Sequence, residues 1–275
     1  MSGLQAALTA LDDWPAARAA AAVVTAEGIA AAHGPIDEVI PLASVTKPLA
    51  VLSALVAVEE GAIDLEDPAD PEVVPGASVR HLMSHASGLA PEGRLRSFPP
   101  ATRRVYSNVG IERLGELVAH GSGLDFSAYV AEALLEPLGL GATQMSGSPA
   151  RDGRSSVRDL ARVAQELLAP TGWLHPTTLA DATTVQYPGL RGVLPGFGGQ
   201  DPNDWGLGFE IRSHKHPHWT GTTNSPATYG HFGQSGTMFW IDPVARLGLV
   251  VLTDQAFGAW AAQAWPRLSD AVLAG

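Results

Sequence analysis

The chain has 275 residues, enough for one large domain or for one core that carries a substantial insertion. Hydrophobic residues make up 45% of it, which is typical of a globular protein, and the formal charge of −11 disfavours nucleic acid and anionic membranes as partners because both repel an acidic surface. The absence of cysteine excludes disulfides, thiolate metal sites and cysteine-dependent catalysis.

The first part of the chain predicts a helix, two strands and a second helix. Leucines repeat with helical spacing over residues 3–12. Two short apolar strands are expected within residues 19–33, on either side of a turn that contains Gly28. Apolar residues at helical spacing then follow Ser44, which we expect to open the second helix, and Gly61 ends it.

The rest of the chain changes from short helices to strands. Loops rich in Pro and Gly join four helical patterns, at residues 80–86, 109–120, 125–135 and 156–169. Later, two apolar runs at 237–241 and 247–253 flank Asp242-Pro243 and predict a hairpin. Residues 257–273 have helical character, which we expect to be broken once at Pro266.

The order of these elements predicts an α+β fold. We expect one antiparallel sheet, built from both ends of the chain and flanked by helices. Residues 1–61 and 201–275 are assigned to this sheet domain, and residues 62–200 to an all-helical domain inserted into it. The active-site cleft is expected where the two parts meet, because ligands favour such junctions.

A serine and a lysine at helical spacing are the first candidates for chemistry. The chain has only two lysines, and Lys47 lies three residues after Ser44. On a helix these positions share a face, so the Ser44 hydroxyl and the Lys47 amine can meet. A serine hydroxyl needs a neighbouring base to become a nucleophile, and a desolvated lysine can serve as that base. The spacing alone also arises by chance, so other motifs must support it.

Two further segments carry polar groups suited to a substrate. Tyr106 and Asn108 stand one residue apart, and a tyrosine there could shuttle a proton while an asparagine could hold an amide or carbonyl. His231 and Gly233 come just before the late strands. Glycine lets the backbone approach a ligand closely, and the N–H of Gln234 after it could bind an oxyanion.

Taken in order, these motifs resemble those of the serine β-lactamase and penicillin-binding-protein superfamily. The three are Ser44-x-x-Lys47, Tyr106-x-Asn108 and His231-x-Gly233, and the similarity is greatest to the class C-like and esterase branch. Connecting segments resemble the family as well, over roughly residues 20–255. The resemblance implies a β-lactamase/transpeptidase-like fold, in agreement with the arrangement that periodicity predicts.

The resemblance also implies roles for the residues. Ser44 is then the nucleophile, and Lys47 and Tyr106 handle protons. The N–H groups of Ser44 and Gln234 form the oxyanion hole. Substrate contacts are expected from four side chains or backbone positions, namely Asn108, His231, Gly233 and Trp205. No cofactor and no metal are expected.

One residue departs from the family pattern. Many β-lactamases and D-alanyl peptidases carry lysine at the position of His231, where the cation helps to hold a substrate carboxylate. An unperturbed histidine has a pKa of about 6.5 and is mostly neutral at pH 7. We therefore expect a small-molecule substrate, with neutral esters or amides favoured over β-lactams.

Two alternatives remain open from the sequence. The first is true β-lactamase or D-alanyl peptidase activity. The second, from another class, is a catalytically silent binding or sensor module of the same fold; the retention of Ser44, Lys47 and Tyr106 argues against it. The oligomeric state is not predicted.

Other patterns favour less specific interpretations. His214, His216 and His218 alternate and could face a metal, but no carboxylate or cysteine cluster accompanies them, so a polar loop is favoured. His81 and His85 have helical spacing without the glutamate of zinc proteases, which favours a structural role. Neither a signal peptide nor a membrane span is recognised, and the predicted location is the cytoplasm.

Overall fold

A six-stranded antiparallel sheet forms the centre of the computed structural model, which describes residues 3–275. The sheet order is β2-β1-β10-β9-β8-β7, and two pairs of short strands, β3-β4 and β5-β6, lie outside it. The strands are β1 Ala19–Thr25, β2 Gly28–His33, β3 Ile40–Pro41, β4 Arg154–Ser155, β5 Gly192–Leu194, β6 Gly198–Gln200, β7 Glu210–Ile211, β8 Tyr229–Gly233, β9 Thr237–Asp242 and β10 Leu247–Thr253.

The described part of the chain contains eight α-helices. They are α1 Gly3–Leu8, α2 Thr46–Glu59, α3 Val79–Met83, α4 Asn108–Ser122, α5 Phe126–Val130, α6 Val157–Leu168, α7 Pro176–Ala182 and α8 Ala259–Ala274. Single turns extend three of them: 3-10 turns at Thr9–Asp13 and Ala43–Val45, and a π turn at Ala131–Leu135. Within residues 3–275 no helix has the length and apolar character needed to cross a membrane.

The sheet is buried on both faces, and β1 shows why. Successive side chains of a strand point to opposite faces, so an all-apolar strand suits a doubly covered sheet. Ala20, Ala22 and Val24 pack into the core that includes α6, whereas Ala21 and Val23 pack into the core beneath α1 and α8. The predicted antiparallel sheet from both chain ends, with an α+β fold, is confirmed.

α2 lies in the interior of the molecule. Eleven of its 14 residues are buried, and it packs against α4, α5 and the π turn. A helix that is apolar on all sides is expected in a core rather than at a surface. As a consequence, a polar residue on this helix loses its hydration.

Three sequence predictions need correction or remain open. Pro266 does not break the last helix, because α8 runs through it and buries Trp265 and Leu268 against the sheet. That packing outweighs the hydrogen bond that proline cannot donate. Ser44 does not open α2 itself but lies on the preceding 3-10 turn. The division at residues 62–200 remains a prediction, and α6 packs on the sheet although it falls inside the assigned insertion.

Candidate active site

Ser44 and Lys47 meet at the start of α2, where the chain passes from a 3-10 turn into the helix. Lys47 Nζ donates to Ser44 Oγ at 3.1 Å and to the carbonyl of Ala150 at 2.8 Å. Ser44 keeps part of its surface accessible, while Lys47 is fully buried. Ala43 has a φ of 46°, a left-handed conformation that is unfavourable for a residue with a Cβ. Such local strain is typical of functional sites.

Burial changes the acid–base character of Lys47. Loss of hydration, helped by the positive charge of Arg151, lowers the pKa of Lys47 from 10.5 to about 7, although the carboxylates of Glu92 and Glu112 oppose this. At neutral pH a large fraction of the amine is therefore unprotonated. An unprotonated amine 3.1 Å from a serine hydroxyl can accept its proton.

Tyr106 faces the same two groups. Lys47 Nζ lies 4.7 Å from the centre of the tyrosine ring. Burial raises the pKa of the Tyr106 hydroxyl well above its usual value, despite a hydrogen bond with Ser44 that lowers it. The hydroxyl consequently stays protonated and can donate. The next residue, Ser107, caps α4 by accepting from the Gly110 N–H at 3.0 Å, which fixes Tyr106 just before the helix.

His231 lies opposite Tyr106 on β8 and is neutral. Its Nδ1 lies 2.7 Å from the Phe232 carbonyl, which can only accept, so Nδ1 carries the proton. Nε2 then presents a lone pair to the Tyr106 hydroxyl, 3.4 Å away. Burial and the nearby Lys47 lower the pKa of His231 to about 3. The sequence-based expectation of a neutral histidine is strengthened, because burial removes the small protonated fraction that a free histidine has at pH 7.

The end of β8 lies against the turn that carries Ser44. A Cβ on Gly233 would come within 2.3 Å of the Leu42 carbonyl and 3.1 Å of the Ser44 N–H. Thr237 also donates to the Leu42 carbonyl at 2.8 Å. Only glycine permits this approach, and it brings the backbone of Gln234, the next residue, to the edge of the cavity at Ser44.

A small cavity of about 50 Å³ opens beside Ser44. Eight further residues line it, from the sheet, from the segment before α4 and from the chain around β5: Tyr106, Leu194, Pro195, Trp205, Glu210, His231, Phe232 and Gln234. Six of the eight predicted site residues thus lie at this cavity or in direct contact with Ser44, and Gly233 forms the wall behind Ser44.

Asn108 is set apart from this cavity. It is the first residue of α4, and its Nδ2 donates to Glu92 at 2.5 Å. Glu92 in turn accepts from Arg151 at 3.2 Å. Asn108 Oδ1 is buried and has no hydrogen-bond partner among residues 3–275. Of the two polar atoms of the Asn108 amide, the oxygen is thus the one that lacks a partner.

Trp205 is buried where the sequence predicts it. Its ring meets His85 edge-on at 4.7 Å between centres and His231 at 5.5 Å. His85 in turn packs on Tyr106 at 4.7 Å. The structural role expected for His85 agrees with these contacts. Together the rings hold Tyr106 and His231 in place behind the cavity.

A buried charged cluster behind the cavity was not predicted. Glu210 begins β7 and accepts from Lys215 Nζ at 2.7 Å, from His218 Nε2 at 2.9 Å and from the Trp219 indole. Burial raises the pKa of the Glu210 carboxyl, but Lys215 and His218 lower it by more, so the net pKa is well below its usual range. Lys215 also donates to the Asp204 carbonyl at 2.7 Å.

The sequence held a signal for this cluster, because Lys215 is one of only two lysines in the chain. The alternating histidines predicted a polar loop, but not whether its side chains face the solvent or the interior. In the structure Lys215 and His218 point inward to Glu210. Within residues 3–275 no group of three metal-ligating side chains comes together.

Lys215→Met is expected to destabilise the protein by about 3–5 kcal/mol, because it leaves the buried Glu210 carboxylate without its main partner. The change is to be measured as a shift in the urea midpoint. The control Arg158→Met breaks the exposed pair with Asp37 and should leave the midpoint in place. Adding Glu210→Gln to Lys215→Met should recover most of the loss. An unchanged midpoint in Lys215→Met would contradict this account of the cluster.

The fold and the site together define a class of protein. A serine whose hydroxyl contacts a buried lysine, facing a protonated tyrosine beside the end of a strand of an antiparallel sheet, is the arrangement of a serine hydrolase with a β-lactamase/transpeptidase-like fold. A model of the β-lactamase family matches residues 10–274. This chain belongs to the β-lactamase family.

Solved structures agree with this assignment. A β-lactamase from Mycobacterium bovis is 53% identical, with 98% of each chain covered and a TM-score of 0.95. A structure described as EstCE1, a hydrolase with promiscuous acyltransferase activity, shares the fold at 17% identity, with a TM-score of 0.81 and 98% of this chain and 97% of the other covered.

Among curated proteins, one from Escherichia coli O157:H7 bears the name "Putative D-alanyl-D-alanine carboxypeptidase". It is 26% identical over 243 residues, which cover 68% of this chain and 54% of the relative. The chain thus spans about half the length of the curated relatives that it matches. The predicted family membership and fold are confirmed by these comparisons.

Proposed function

We propose that this protein hydrolyses small, uncharged carboxylic esters through an acyl-enzyme on Ser44. The observation that carries the proposal is the 3.1 Å contact between Ser44 Oγ and a Lys47 amine whose pKa is about 7. A base works best when its pKa lies near the working pH. No other serine in the described chain is bonded to a lysine.

The proposed chemistry follows from the positions of these groups. Lys47 accepts the hydroxyl proton while Ser44 Oγ attacks the carbonyl carbon. The N–H groups of Ser44 and Gln234 stabilise the negative oxygen that develops. Tyr106, which keeps its proton because of its raised pKa, donates to the departing alcohol and is recharged from Lys47. Water then attacks the acyl-enzyme while Lys47, again unprotonated, accepts its proton, and that proton returns to Ser44 Oγ as the acid leaves.

Charge supports esters over β-lactams and acyl-D-alanine peptides. The latter two carry a carboxylate, and a cation near the reacting bond helps to hold it. At the corresponding place this chain has His231, neutral because burial lowers its pKa to about 3. None of the described residues that line the cavity is a lysine or an arginine, and the charge of Glu210 is paired with Lys215. An anionic substrate would therefore be bound weakly here.

Asn108, Gly233 and Trp205 are proposed as substrate contacts of different kinds. The unpartnered Oδ1 of Asn108 can accept from a substrate N–H or hydroxyl. The cavity wall formed by Trp205 is apolar and suits an acyl group. Gly233 permits the close approach of the β8 backbone. The cytoplasmic location stays a prediction from the sequence.

Two observations favour β-lactamase or D-alanyl carboxypeptidase activity as a second candidate. One is the 53% identity to a protein described as a β-lactamase, and the other is the name of the E. coli relatives. The binding-module alternative differs from both, because it needs no acylation.

The test compares p-nitrophenyl acetate with a chromogenic cephalosporin on the same enzyme. We expect kcat/KM to be at least about tenfold higher for the ester, since the cephalosporin carboxylate finds no cation. His231→Lys should raise cephalosporin turnover. Faster cephalosporin hydrolysis by the unchanged protein would favour the second candidate. Intact mass after treatment with a fluorophosphonate separates either enzyme from a binding module, which would show no adduct.

A further inference from the structure

A second opening adjoins the cavity at Ser44 on the side of Tyr106. It is a groove of about 410 Å³ and shares two wall residues, Tyr106 and Pro195, with the cavity of about 50 Å³. Its apolar walls come from the segment before Tyr106 and from β5, through Pro91, Phe98, Val105 and Val193. The groove is thus continuous with the proposed reaction centre.

The groove suits an uncharged, apolar occupant. Val193 is 60% exposed and presents its apolar side chain at the groove. None of the residues within 3–275 that line the groove is acidic. Arg104 lines it, but its guanidinium is buried and donates to the carbonyls of Asn203, Ser84 and Gln186 at 2.6–3.1 Å. The other arginine, Arg103, lies over the Phe98 ring at 5.2 Å.

The walls are held against each other without a ligand. Arg104 and Gly192 form a parallel bridge, and a Cβ on Gly192 would lie 2.5 Å from the Arg104 carbonyl. The carbonyls that bind the Arg104 guanidinium come from three separate segments. A groove that is fixed in this way needs little reorganisation when it binds.

The cavity and the groove differ in size, and Tyr106 lines both of them. Its position indicates which part of a substrate each opening would hold. A cavity of about 50 Å³ holds roughly three to five waters, which corresponds to an acyl group of two or three carbons. The groove has room for a ring system. Tyr106 lies between them, and under the proposed function it donates to the leaving group. The leaving group must therefore lie on the Tyr106 side, toward the groove.

We propose that the groove binds the alcohol part of the substrate, so that the preferred substrates are short-chain acyl esters of bulky, apolar alcohols. This inference rests on the proposed function. In acylation the bond from Ser44 Oγ to the acyl carbon forms and the carbon–alcohol oxygen bond breaks. The Ser44 proton passes to Lys47, and Tyr106 supplies the proton of the alcohol. The alcohol then leaves the groove before water releases the acid. A change in the groove should therefore alter the rate of acylation and not the rate of deacylation.

The experiment uses Val193→Asp, with Val244→Asp as a matched control. Val244 is a 74% exposed valine in the turn between β9 and β10, and it is absent from both openings. For 1-naphthyl acetate we expect kcat/KM to fall about tenfold in Val193→Asp, because a charge then faces the apolar ring. Ethyl acetate turnover should change less than about twofold, and Val244→Asp should alter neither. The deacylation rate of the shared acetyl-enzyme should stay constant in all three proteins.

The unchanged protein should also hydrolyse 1-naphthyl acetate faster than 1-naphthyl octanoate, whose acyl chain exceeds the small cavity. A preference for octanoate, or equal losses for naphthyl and ethyl esters in Val193→Asp, would overturn the assignment of the groove. If a fluorophosphonate adduct forms on Ser44 in that case, the proposed function stands and only the groove assignment fails. If neither ester is hydrolysed and no adduct forms, both fail.

Discussion

Ser44→Ala is expected to lower kcat for p-nitrophenyl acetate by about 10⁶-fold, the scale seen when a serine nucleophile is removed. The variant keeps Lys47 and Tyr106 but has no atom to form the acyl bond. Residual hydrolysis from the oxyanion hole and from substrate binding should remain above the rate in water. The measurement is kcat from the absorbance of released p-nitrophenolate at saturating ester, by stopped flow for the unchanged protein and over long times for the variant.

The matched control is Ser53→Ala on the same helix. Ser53 is fully buried and donates to the Leu49 carbonyl at 3.0 Å, away from the cavity. Loss of the Ser53 hydroxyl and its hydrogen bond should lower the free energy of unfolding by about 1 kcal/mol or less and leave turnover unchanged. A fluorophosphonate adduct should form on Ser53→Ala and not on Ser44→Ala. An adduct that persists in Ser44→Ala would refute the assignment of the nucleophile.

Lys47→Met is expected to lower kcat/KM by about 10²–10⁴-fold and to stabilise the folded protein. Activity falls because methionine cannot accept the Ser44 proton. Stability rises because the unfolded chain holds the Lys47 proton with a pKa near 10.5, whereas burial lowers the folded-state pKa to about 7. The lysine that activity requires therefore lowers the stability of the folded protein.

The pH dependence of the stability gain follows from the two pKa values of Lys47. Below pH 7 Lys47 is protonated in both the folded and the unfolded state. The folded state then bears the full cost of burying the charge, at most about 5 kcal/mol for pKa values of about 7 and 10.5. Between pH 7 and 10.5 the unfolded state binds more protons, so stability of the unchanged protein rises with pH. Above pH 10.5 the cost is gone. The methionine variant should therefore gain about 2 kcal/mol at pH 6, after its lost hydrogen bonds are subtracted, and nothing near pH 10.5.

Urea unfolding at several pH values measures this gain, and Lys47→Arg provides the control. Arginine keeps its charge at every accessible pH, so it should lose activity without gaining stability. In the unchanged protein kcat/KM should rise with pH, with a midpoint near 7 as Lys47 loses its proton. A methionine variant that is less stable at pH 6, or that keeps kcat/KM within about tenfold, would show that Lys47 is not a desolvated base.

Local patterns in the sequence were sufficient for four of the six sheet strands and for the contact between Ser44 and Lys47, but β7 and β8 were not predicted. β1 and β10 are continuous apolar runs, and such runs predict strands without knowledge of their neighbours. Ser44 and Lys47 are three residues apart, a spacing that brings them together within one turn of helix. The boundary between the 3-10 turn and α2 was not predictable, because Thr46 at this boundary accepts from the N–H of the distant Gly153 at 3.0 Å.

What the sequence by itself determined is the class of chemistry: a serine beside a lysine, with a tyrosine and a histidine in the order of a known family. The tertiary structure decided the rest, because the remaining properties depend on burial and on contacts between distant segments. The pKa of Lys47 near 7 exists because α2 lies in the core. The pair of Glu210 and Lys215 forms because a loop after β7 folds inward. The groove beside Tyr106 exists because residues about 90 positions apart, such as Val105 and Val193, form its two walls.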